Sequence, residues 1–469
     1  MSVDQYPIRR PVPRDAEALA KAVGAWDRPA LLVGGAEFGE AGRYSIFAAE
    51  PRWVVEGVDG RTRFEDELGG RWLDVDPLDW LADRVADLGL ADPAETPGDA
   101  DEPFKGGLIR LPRPDLAPRL ERLPRRRARV SRLPDLRFAL YDSWAVIDHA
   151  TGRAQIAAAD LTDEGPAAAR ARLDRWERRL AEPPADPMRS RLERAPAPVL
   201  PRGEFLSSVA RALDYIREGD IFQVNLSQRF EATGRIVPLD LFCKLRRASP
   251  APFSALLAWD DLAIVSASPE WFYRSRGDRI VTRPIKGTRP RGATEEEDRR
   301  LREELLGSAK DRAELTMIVD LERNDLGRVA EYRSVEVSEA LTVESYAQVH
   351  HLVATVCARL RPEVGPIDVI RATFPGGSIT GAPKIRAMEI IDELEPARRS
   401  AYTGSLGYFS RGGSSAFNIL IRTMLVEGDR VSYQVGGGIV ADSDPALEYE
   451  ETLHKGRGLL AVLREGSPP

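Results

Sequence analysis

The chain has 469 residues, 43% hydrophobic and 30% charged, a composition typical of a globular protein with one large or two ordinary domains. Its net charge of −7 argues against a general nucleic-acid binder, and its two cysteines (Cys243 and Cys357) leave no room for a disulfide framework or a thiolate metal cluster. The N-terminus lacks an apolar signal region and no apolar run reaches membrane-spanning length, so we expect cytoplasmic residence.

Residues 1–190 are predicted to form an N-terminal domain. Apolar runs between turn residues predict strands at 29–33, 44–48, 53–55 and 136–147. Helical spacing at 76–90 and an Ala-, Arg- and Leu-rich stretch at 164–181 predict two helices. Proline-rich segments at 182–187 and 195–201 mark the end of this domain.

Residues 200–465 are predicted to form a second domain, in which helices and strands alternate without a strict βαβ rhythm. The predicted helices lie at 204–217, 294–306, 308–321, 366–373, 383–393 and from Asp444 onward. The predicted strands lie at 222–227, 253–259, 262–267, 279–285, 405–409, 416–426 and 430–435. This order predicts an α+β fold with large mixed or antiparallel sheets.

The most distinctive stretch, Arg279-Ile-Val-Thr-Arg-Pro-Ile-Lys-Gly-Thr-Arg-Pro-Arg291, is interpreted as a loop that presents Lys286. Gly287 lets the backbone approach a ligand or adopt a positive φ. Neighbouring cations make a lysine amine a better nucleophile, and three lie close in sequence: Arg283, Arg289 and Arg291. A basic loop whose charges are solvated or hold an anion is the alternative, and spacing alone favours it.

Two pairs of carboxylates lie three residues apart near predicted helix starts: Asp311 with Glu314, and Glu448 with Glu451. Residues at this spacing share one helix face, so each pair aims at one point. Oxygen ligands without nearby His or Cys suit Mg²⁺. For either pair alone, helix capping and the helix dipole are the simpler explanation.

Further candidates come from single residues and glycine-rich segments. Glu270 follows a Pro-containing turn where a general acid can be held, although exposed turn acids are commoner. Arg422 interrupts an apolar strand run and should face a carboxylate of the protein or of a ligand. A lone His such as His351 is more often structural. The segment 436–443 exposes backbone N–H groups that suit an anion, and the segment 374–384 presents Ser378 or is an ordinary helix-capping turn.

Eight ordered strings within residues 202–460 resemble the chorismate-utilising enzymes that pair with a glutamine amidotransferase: GDIFQVNLSQRF, SASPE, RPIKGTRPRG, DRAELTMIVDLERNDLGR, VHHLVATV, FPGGSITGAPK, NILIRT and GGGIVADSDPALEYEETLHK. The resemblance implies a catalytic domain over 200–465, an anthranilate-synthase-like N-terminal domain over 1–190, and sheets in a sandwich with helices outside.

The residue at position 286 distinguishes branches of this family. Anthranilate synthases typically carry Ala there, whereas a Lys resembles aminodeoxychorismate synthase component I of the folate pathway. The family mechanism implies that Lys286 attacks C2 of chorismate and displaces the 4-hydroxyl; ammonia then adds at C4 and expels the lysine. Members that add water usually carry Lys where Gln223 stands, so Gln223 argues against an isochorismate or salicylate synthase.

The resemblance also implies roles for the other candidates. Glu314 and Glu451 are expected to bind Mg²⁺, which would hold the ring carboxylate, with Asp311 and Glu448 reaching it through water. Glu270 is the expected general acid that protonates the departing hydroxyl, with His351 beside it among the catalytic residues. The expected substrate contacts are Thr288, Ser378, Tyr402, Arg422, Lys455 and the Gly437–Gly438 backbone.

The N-terminal half resembles the family more weakly, through GRYSIFAAEP and LPDLRFALYDSWAVIDH. The family's tryptophan-contacting Leu-Leu-Glu-Ser is replaced by Leu31-Leu-Val-Gly34, which argues against bound tryptophan. No amidotransferase domain is expected, because neither cysteine lies in a Gly-rich nucleophile turn. Ammonia would then come from a separate glutamine amidotransferase subunit or from solution.

Two alternatives remain open at this point. One is an anthranilate synthase component I that tolerates Lys286. The other is a catalytically idle chorismate-binding or nucleic-acid-associated protein that uses the basic run Arg122-Leu-Pro-Arg-Arg-Arg-Ala-Arg129. The acidic pairs and Lys286 weigh against the second alternative.

Overall fold

The structure, a computed structural model, describes residues 7–91, 102–124, 126–346 and 349–465. No helix within these ranges has the length and apolar character needed to cross a membrane. The α-helices are α1 (Ala16–Gly24), α2 (Pro77–Asp87), α3 (Ala117–Leu120), α4 (Pro166–Ala181), α5 (Arg202–Arg217), α6 (Pro238–Ala248), α7 (Glu295–Gly307), α8 (Ala309–Gly327), α9 (Pro366–Thr373), α10 (Lys384–Leu394) and α11 (Pro445–Arg464).

In the described part of the chain, the first sheet has 12 strands, all paired antiparallel. Their spatial order is β1 (Ile8–Pro11), β10 (Arg153–Ala158), β9 (Ser143–Asp148), β3 (Tyr44–Ala48), β2 (Ala30–Val33), β13 (Phe253–Trp259), β14 (Leu262–Ser268), β23 (Thr423–Glu427), β24 (Arg430–Ile439), β12 (Gln223–Arg235) and β11 (Arg191–Pro198). The short strand β20 (Gly381–Ala382) adds to β12.

The second sheet also has 12 antiparallel strands among the residues that the structure describes. Their order is β17 (Ile285–Pro290), β19 (Val349–Arg359), β16 (Arg279–Thr282), β15 (Trp271–Arg276), β22 (Ser414–Ile419), β21 (Ser405–Ser410), β7 (Gly107–Pro112), β8 (Leu136–Tyr141), β4 (Trp53–Val58), β5 (Arg61–Asp66) and β6 (Gly69–Leu73). Strand β18 (Glu336–Ser345) pairs with β19.

The main hydrophobic core lies between the two sheets. Successive side chains of a strand point to opposite faces. On β13, Leu257 therefore joins Phe272 and Phe417 of the second sheet in this core, whereas Leu256 packs with Phe242 of α6 outside. This alternation produces the expected α+β sandwich with helices outside.

Both sheets contain strands from each side of the proline-rich stretch near residues 190–200. In the first sheet β2 pairs with β13, and in the second β7 pairs with β21. The two-domain division stays a prediction about folding units; in the structure the two halves share their sheets and the core between them.

Three local predictions need correction. The strand expected at 279–285 is present as β16 and the start of β17, but the loop expected around Lys286 is not, because β17 continues to Pro290; both strands pair with β19, which satisfies their backbone groups. The single strand expected at 416–426 is broken into β22 and β23 around Arg422. The strand expected at 430–435 continues to Ile439, so residues 436–438 lie within β24, paired with β12.

Candidate active site

A β-bulge orients Lys286 on strand β17. The pairing with β19 shifts register between Lys286 and Thr288, so Gly287 is the extra residue. Gly287 has φ of 77°, and a Cβ there would lie 2.8 Å from both Asp311 Cγ and Leu305 Cδ1. Glycine is therefore required by the backbone conformation and by the close approach of helices α7 and α8.

The Lys286 side chain is half-buried, and its amine contacts the turn that carries Ser378. Its Nζ donates a hydrogen bond to the Ser378 carbonyl at 3.4 Å. Burial lowers the pKa of Lys286, Lys455 lowers it further, and carboxylates led by Glu270 and Glu314 offset part of the shift. More of the nucleophilic free amine is therefore present near neutral pH than for an exposed lysine.

The arginines next to Lys286 in sequence do not cause this shift. Each is paired with a carboxylate: Arg283 with Glu344 (2.6 Å), Arg289 with Glu304 (2.8 Å) and Arg291 with Asp298 (2.7 Å). The expected activation of the amine has the right direction but the wrong cause. Burial dominates, and the cation that adds to it, Lys455, comes from helix α11.

Glu270 is buried, with 6% of its surface exposed, so the exposed-turn interpretation is wrong. Burial raises the pKa of Glu270, and the Ser378 hydroxyl and the Lys286 charge offset part of the rise. Among the described residues, neither Glu270 Oε1 nor Ser378 Oγ has a partner with hydrogen-bond geometry, although the two groups are close enough to interact electrostatically. A carboxyl group with a raised pKa is better suited to donate a proton than an ordinary carboxylate.

Arg422 occupies the break between β22 and β23 with φ of 51°, a strained conformation for a non-glycine residue. Within the described ranges its guanidinium forms no ion pair or hydrogen bond, and Glu270 is the carboxylate that acts on it across space. Burial lowers the pKa of Arg422. This half-buried cation suits the carboxylate of a ligand.

Tyr402 is buried and lies against the glycine strand β24. A Cβ added at Gly436 would approach the Tyr402 hydroxyl to 2.8 Å, so the ring covers this part of the strand. Burial raises the pKa of Tyr402, which keeps the phenol protonated as a hydrogen-bond donor.

His351 is paired with Thr288 across the β17–β19 ladder, and its Nδ1 lies 2.9 Å from Thr288 Oγ1. Burial lowers the pKa of His351 to about 4, and the charge of Arg422 contributes. The imidazole is therefore neutral near pH 7 and serves as a hydrogen-bonding group rather than as a cation.

The predicted metal-binding carboxylates lie on α8 and α11. Burial raises the pKa of Glu314, and the charges of Asp311 and Glu451 raise it further, so the two helices bring their acids together. Each of the four acids has a partner: Glu314 pairs with Lys310 (4.0 Å), Asp311 with Arg289 (3.2 Å) and Glu451 with Lys455 (2.6 Å), and Glu448 accepts from Ser443 Oγ (2.6 Å). Ser308 also caps α8, because Asp311 N donates to its hydroxyl at 3.2 Å.

The donor chemistry of these acids fits Mg²⁺, which prefers carboxylate oxygens. Within the described ranges, no three His, Cys, Asp or Glu side chains already stand close enough together to hold a metal. The Gly437 backbone lies close to two of the acids, since a Cβ there would lie 3.1 Å from Glu448 Oε2 and 3.4 Å from Glu451 Oε1. Lys310 and Lys455 pair with two of the acids, a role that a bound cation would take over. Mg²⁺ binding stays a prediction.

Gln223 and Gly438 face each other across the β12–β24 edge of the site. A Cβ on Gly438 would lie 2.2 Å from the Gln223 amide nitrogen, so a larger residue there would displace the Gln223 side chain. Gln223 Oε1 is buried without a hydrogen-bond partner in the described part of the chain. This orphaned acceptor is the kind of group that binds a donor from water or a ligand.

Sequence reasoning missed a buried acidic pair at the far end of α8. Glu322 and Asp325 are 5% and 3% exposed, and Asp325 forms an ion pair with Lys384 at the start of α10. The sequence did contain a signal for this pair. Residues 314, 318, 322 and 325 recur every three or four positions, so Glu322 and Asp325 share one helix face with Glu314.

The basic run at 122–129 packs against the end of α10. Arg126 pairs with Glu393 (3.2 Å), Arg127 Nε donates to the Asp392 carbonyl (2.9 Å), and Arg129 Nε donates to the Ser131 carbonyl (3.0 Å). Arg125 lies outside the described residues. These contacts give the run a structural role and weigh against the nucleic-acid alternative.

The segment that departs from the tryptophan-contacting motif lines a separate cavity. Val33 and Gly34 meet Pro252 and Phe253 in a space of about 810 Å³ between the sheets. The absence of bound tryptophan stays a prediction.

Comparison with known proteins identifies the family. The family model described as chorismate binding enzyme matches residues 101–461. The chain is 43% identical over 435 residues to anthranilate synthase component 1 of Thermus thermophilus, covering 92% of both chains, and 44% identical over 424 residues to aminodeoxychorismate synthase component 1 of Salmonella typhimurium, covering 90% of both.

Among solved structures, anthranilate synthase component I from Streptococcus pneumoniae superposes with a TM-score of 0.79 at 33% identity, over 89% of this chain and 92% of that one. The matched range contains every candidate site residue from Gln223 to Lys455. The chain therefore belongs to the chorismate binding enzyme family, and its similarity is divided evenly between relatives named aminodeoxychorismate synthase component 1 and anthranilate synthase component 1.

Proposed function

We propose that this protein is the large subunit of an aminodeoxychorismate synthase, which converts chorismate and ammonia to 4-amino-4-deoxychorismate for 4-aminobenzoate and folate synthesis. The observation that carries the proposal is the half-buried Lys286 amine, whose pKa is lowered, beside the Glu270 carboxyl, whose pKa burial raises. A nucleophile and a proton donor are the two groups that displacement of a hydroxyl from chorismate requires.

In the proposed reaction the neutral Lys286 amine forms a bond to C2 of chorismate. The ring double bonds shift, the C4–O bond breaks, and Glu270 transfers its proton to the departing hydroxyl, which leaves as water. Ammonia then attacks C4, the double bonds shift back, and the C2–N bond to Lys286 breaks. The amine and the carboxyl regain their starting protonation by proton transfer, and the acid–base part contributes about 10²- to 10⁴-fold to the rate.

Other residues would orient chorismate for these steps. Arg422, free of a protein carboxylate in the described structure, would bind the enolpyruvyl carboxylate together with Tyr402 and Lys455. When bound, Mg²⁺ would neutralise the ring carboxylate; Glu314 and Glu451 would hold it directly, and Asp311 and Glu448 through water. His351 is neutral and hydrogen-bonded to Thr288, so the side of the site formed by these two residues would be uncharged.

The ammonia is proposed to come from a separate glutamine amidotransferase subunit. Relatives named as a component 1 support the existence of a second component. Free ammonium salts should substitute for that subunit, because the proposed chemistry on this chain needs ammonia rather than glutamine. We propose a cytoplasmic location for the complex.

An anthranilate synthase component I is the second candidate, because relatives with that name are equally similar to the chain. Product identity separates the two. The purified chain would be incubated with chorismate, Mg²⁺ and an ammonium salt, with and without aminodeoxychorismate lyase. We expect 4-aminobenzoate only when the lyase is present; anthranilate formed without the lyase would refute the assignment.

A further inference from the structure

The turn that carries Ser378 packs against helix α8. The 3-10 turn Gly377–Ile379 supplies both the carbonyl that accepts from Lys286 and the hydroxyl beside Glu270. The position of this turn therefore determines which polar groups lie next to the Lys286 amine and which lie next to the Glu270 carboxyl.

Glu322 is the α8 residue that meets this turn. The Gly377 amide donates to Glu322 Oε1 at 3.2 Å, one residue before Ser378. A Cβ on Gly377 would lie 2.6 Å from Leu321 Cδ2, so the turn sits directly on the helix. The Glu322 side chain is buried, and the charged groups close enough to influence it are Asp325, Lys384 and Glu270.

A second contact fixes the chain on the other side of the turn. Lys384 forms an ion pair with Asp325 and donates to the carbonyls of Thr373 (3.1 Å) and Pro375 (2.9 Å). The segment from Thr373 to Lys384 is thus attached to α8 at two points, and Glu322 is the one nearer to Ser378.

Stability alone does not explain a carboxyl at position 322. A buried acid loses its hydration, and replacement of a buried polar group by an apolar one of similar size is often neutral or stabilising. An acceptor for the Gly377 amide, in contrast, has a definite use, because an unpartnered buried N–H would let the turn move.

We propose that Glu322 is a positioning residue that, by accepting the Gly377 N–H, holds the Ser378 carbonyl against Lys286 and the Ser378 hydroxyl against Glu270. The inference rests on the proposed function in one respect: chorismate turnover is one of its two readouts. It concerns chorismate turnover whichever amino product is formed, and a lysine-labelling measurement tests it without any turnover.

Two variants separate the hydrogen bond from the size of the side chain. Glu322→Gln keeps an oxygen acceptor, whereas Glu322→Leu keeps the size and removes the acceptor. We expect kcat for chorismate consumption to stay within about threefold of the wild type for Glu322→Gln and to fall about 10- to 100-fold for Glu322→Leu, the range for one lost buried hydrogen bond, with little change in KM. Asp320→Asn, an exposed carboxylate on the same helix, is the matched control and should change neither.

The second readout is the rate at which trinitrobenzenesulfonate modifies Lys286, followed by peptide mass spectrometry. Glu322→Leu should label Lys286 at least about threefold faster than Glu322→Gln does, because the Ser378 carbonyl no longer holds the amine. The exposed Lys310 should label at the same rate in both.

Three results would overturn the inference. They are wild-type turnover and labelling in Glu322→Leu, equal losses in the Gln and Leu variants, or a uniform rise in labelling of Lys286 and Lys310 together with a lower melting temperature. The last result would assign Glu322 to general stability. If no variant and no wild-type protein consumes chorismate, the proposed function fails while the labelling comparison still decides the role of Glu322.

Discussion

The protonation state of Glu322 gives the protein a pH dependence of stability that one substitution should remove. Burial, together with the charge of Asp325, raises the pKa of Glu322 from its ordinary value of 4.5 to about 8. Below pH 4.5 both the folded and the unfolded chain carry this proton. Above pH 4.5 only the folded chain keeps the proton on Glu322. The contribution of this group to the free energy of unfolding therefore declines as the pH rises and is lost at about pH 8.

The size of the effect follows from the shift. A difference of about 3.5 pKa units at about 1.4 kcal/mol per unit gives at most about 5 kcal/mol of stability lost between pH 4.5 and 8. For 469 residues the entropy of unfolding is about 1 kcal/mol per degree, so the melting temperature should change by up to about 5 °C.

The assay compares the melting temperatures of the wild type and Glu322→Gln at pH 5 and pH 8. Gln cannot ionise, so the variant should gain up to about 5 °C on the wild type as the pH rises, while groups common to both proteins cancel. Asp320→Asn removes an exposed carboxylate of the same helix and should run parallel to the wild type. Parallel behaviour of Glu322→Gln would show that Glu322 is already ionised in the folded protein and would refute the reasoning.

Three further predictions concern the site itself. Lys286→Ala should keep the fold but lower amination at C4 by at least about 1,000-fold, the scale for a lost nucleophile; undiminished product by chromatography would remove the covalent role. Glu451→Gln should raise the Mg²⁺ concentration for half-maximal activity at least about tenfold, and an unchanged titration would remove Glu451 from the ligand set. Gly287→Ala should cost about 1–3 kcal/mol in denaturant unfolding because of its positive φ, whereas Gly203→Ala in α5, with open space around it, should not destabilise; equal effects would contradict the bulge argument.

Local sequence determined the helices that carry the acids. The spacing of Asp311 with Glu314 and of Glu448 with Glu451 fixes a shared helix face, and caps such as Ser308 fix where the helix begins. The pair Lys286–Gly287 also indicated a special backbone position, which the bulge at φ 77° bears out, although the surrounding stretch was misread as a loop. Strand pairing of that stretch depends on β19, whose paired residues lie 59 to 68 positions away in the sequence, and no local pattern reports it.

By itself, therefore, the sequence determined which residue types are present, the faces on which the helices display them, and the strings that resemble one enzyme family. The tertiary structure decided which charges meet. It paired Arg283 with the distant Glu344, placed Lys455 near the Lys286 amine, and buried Glu270 and Glu322. The physical reason is that helix faces and caps depend on neighbours within one turn, whereas burial and ion pairing, which set the pKa values, depend on segments brought together only by the folded sheets.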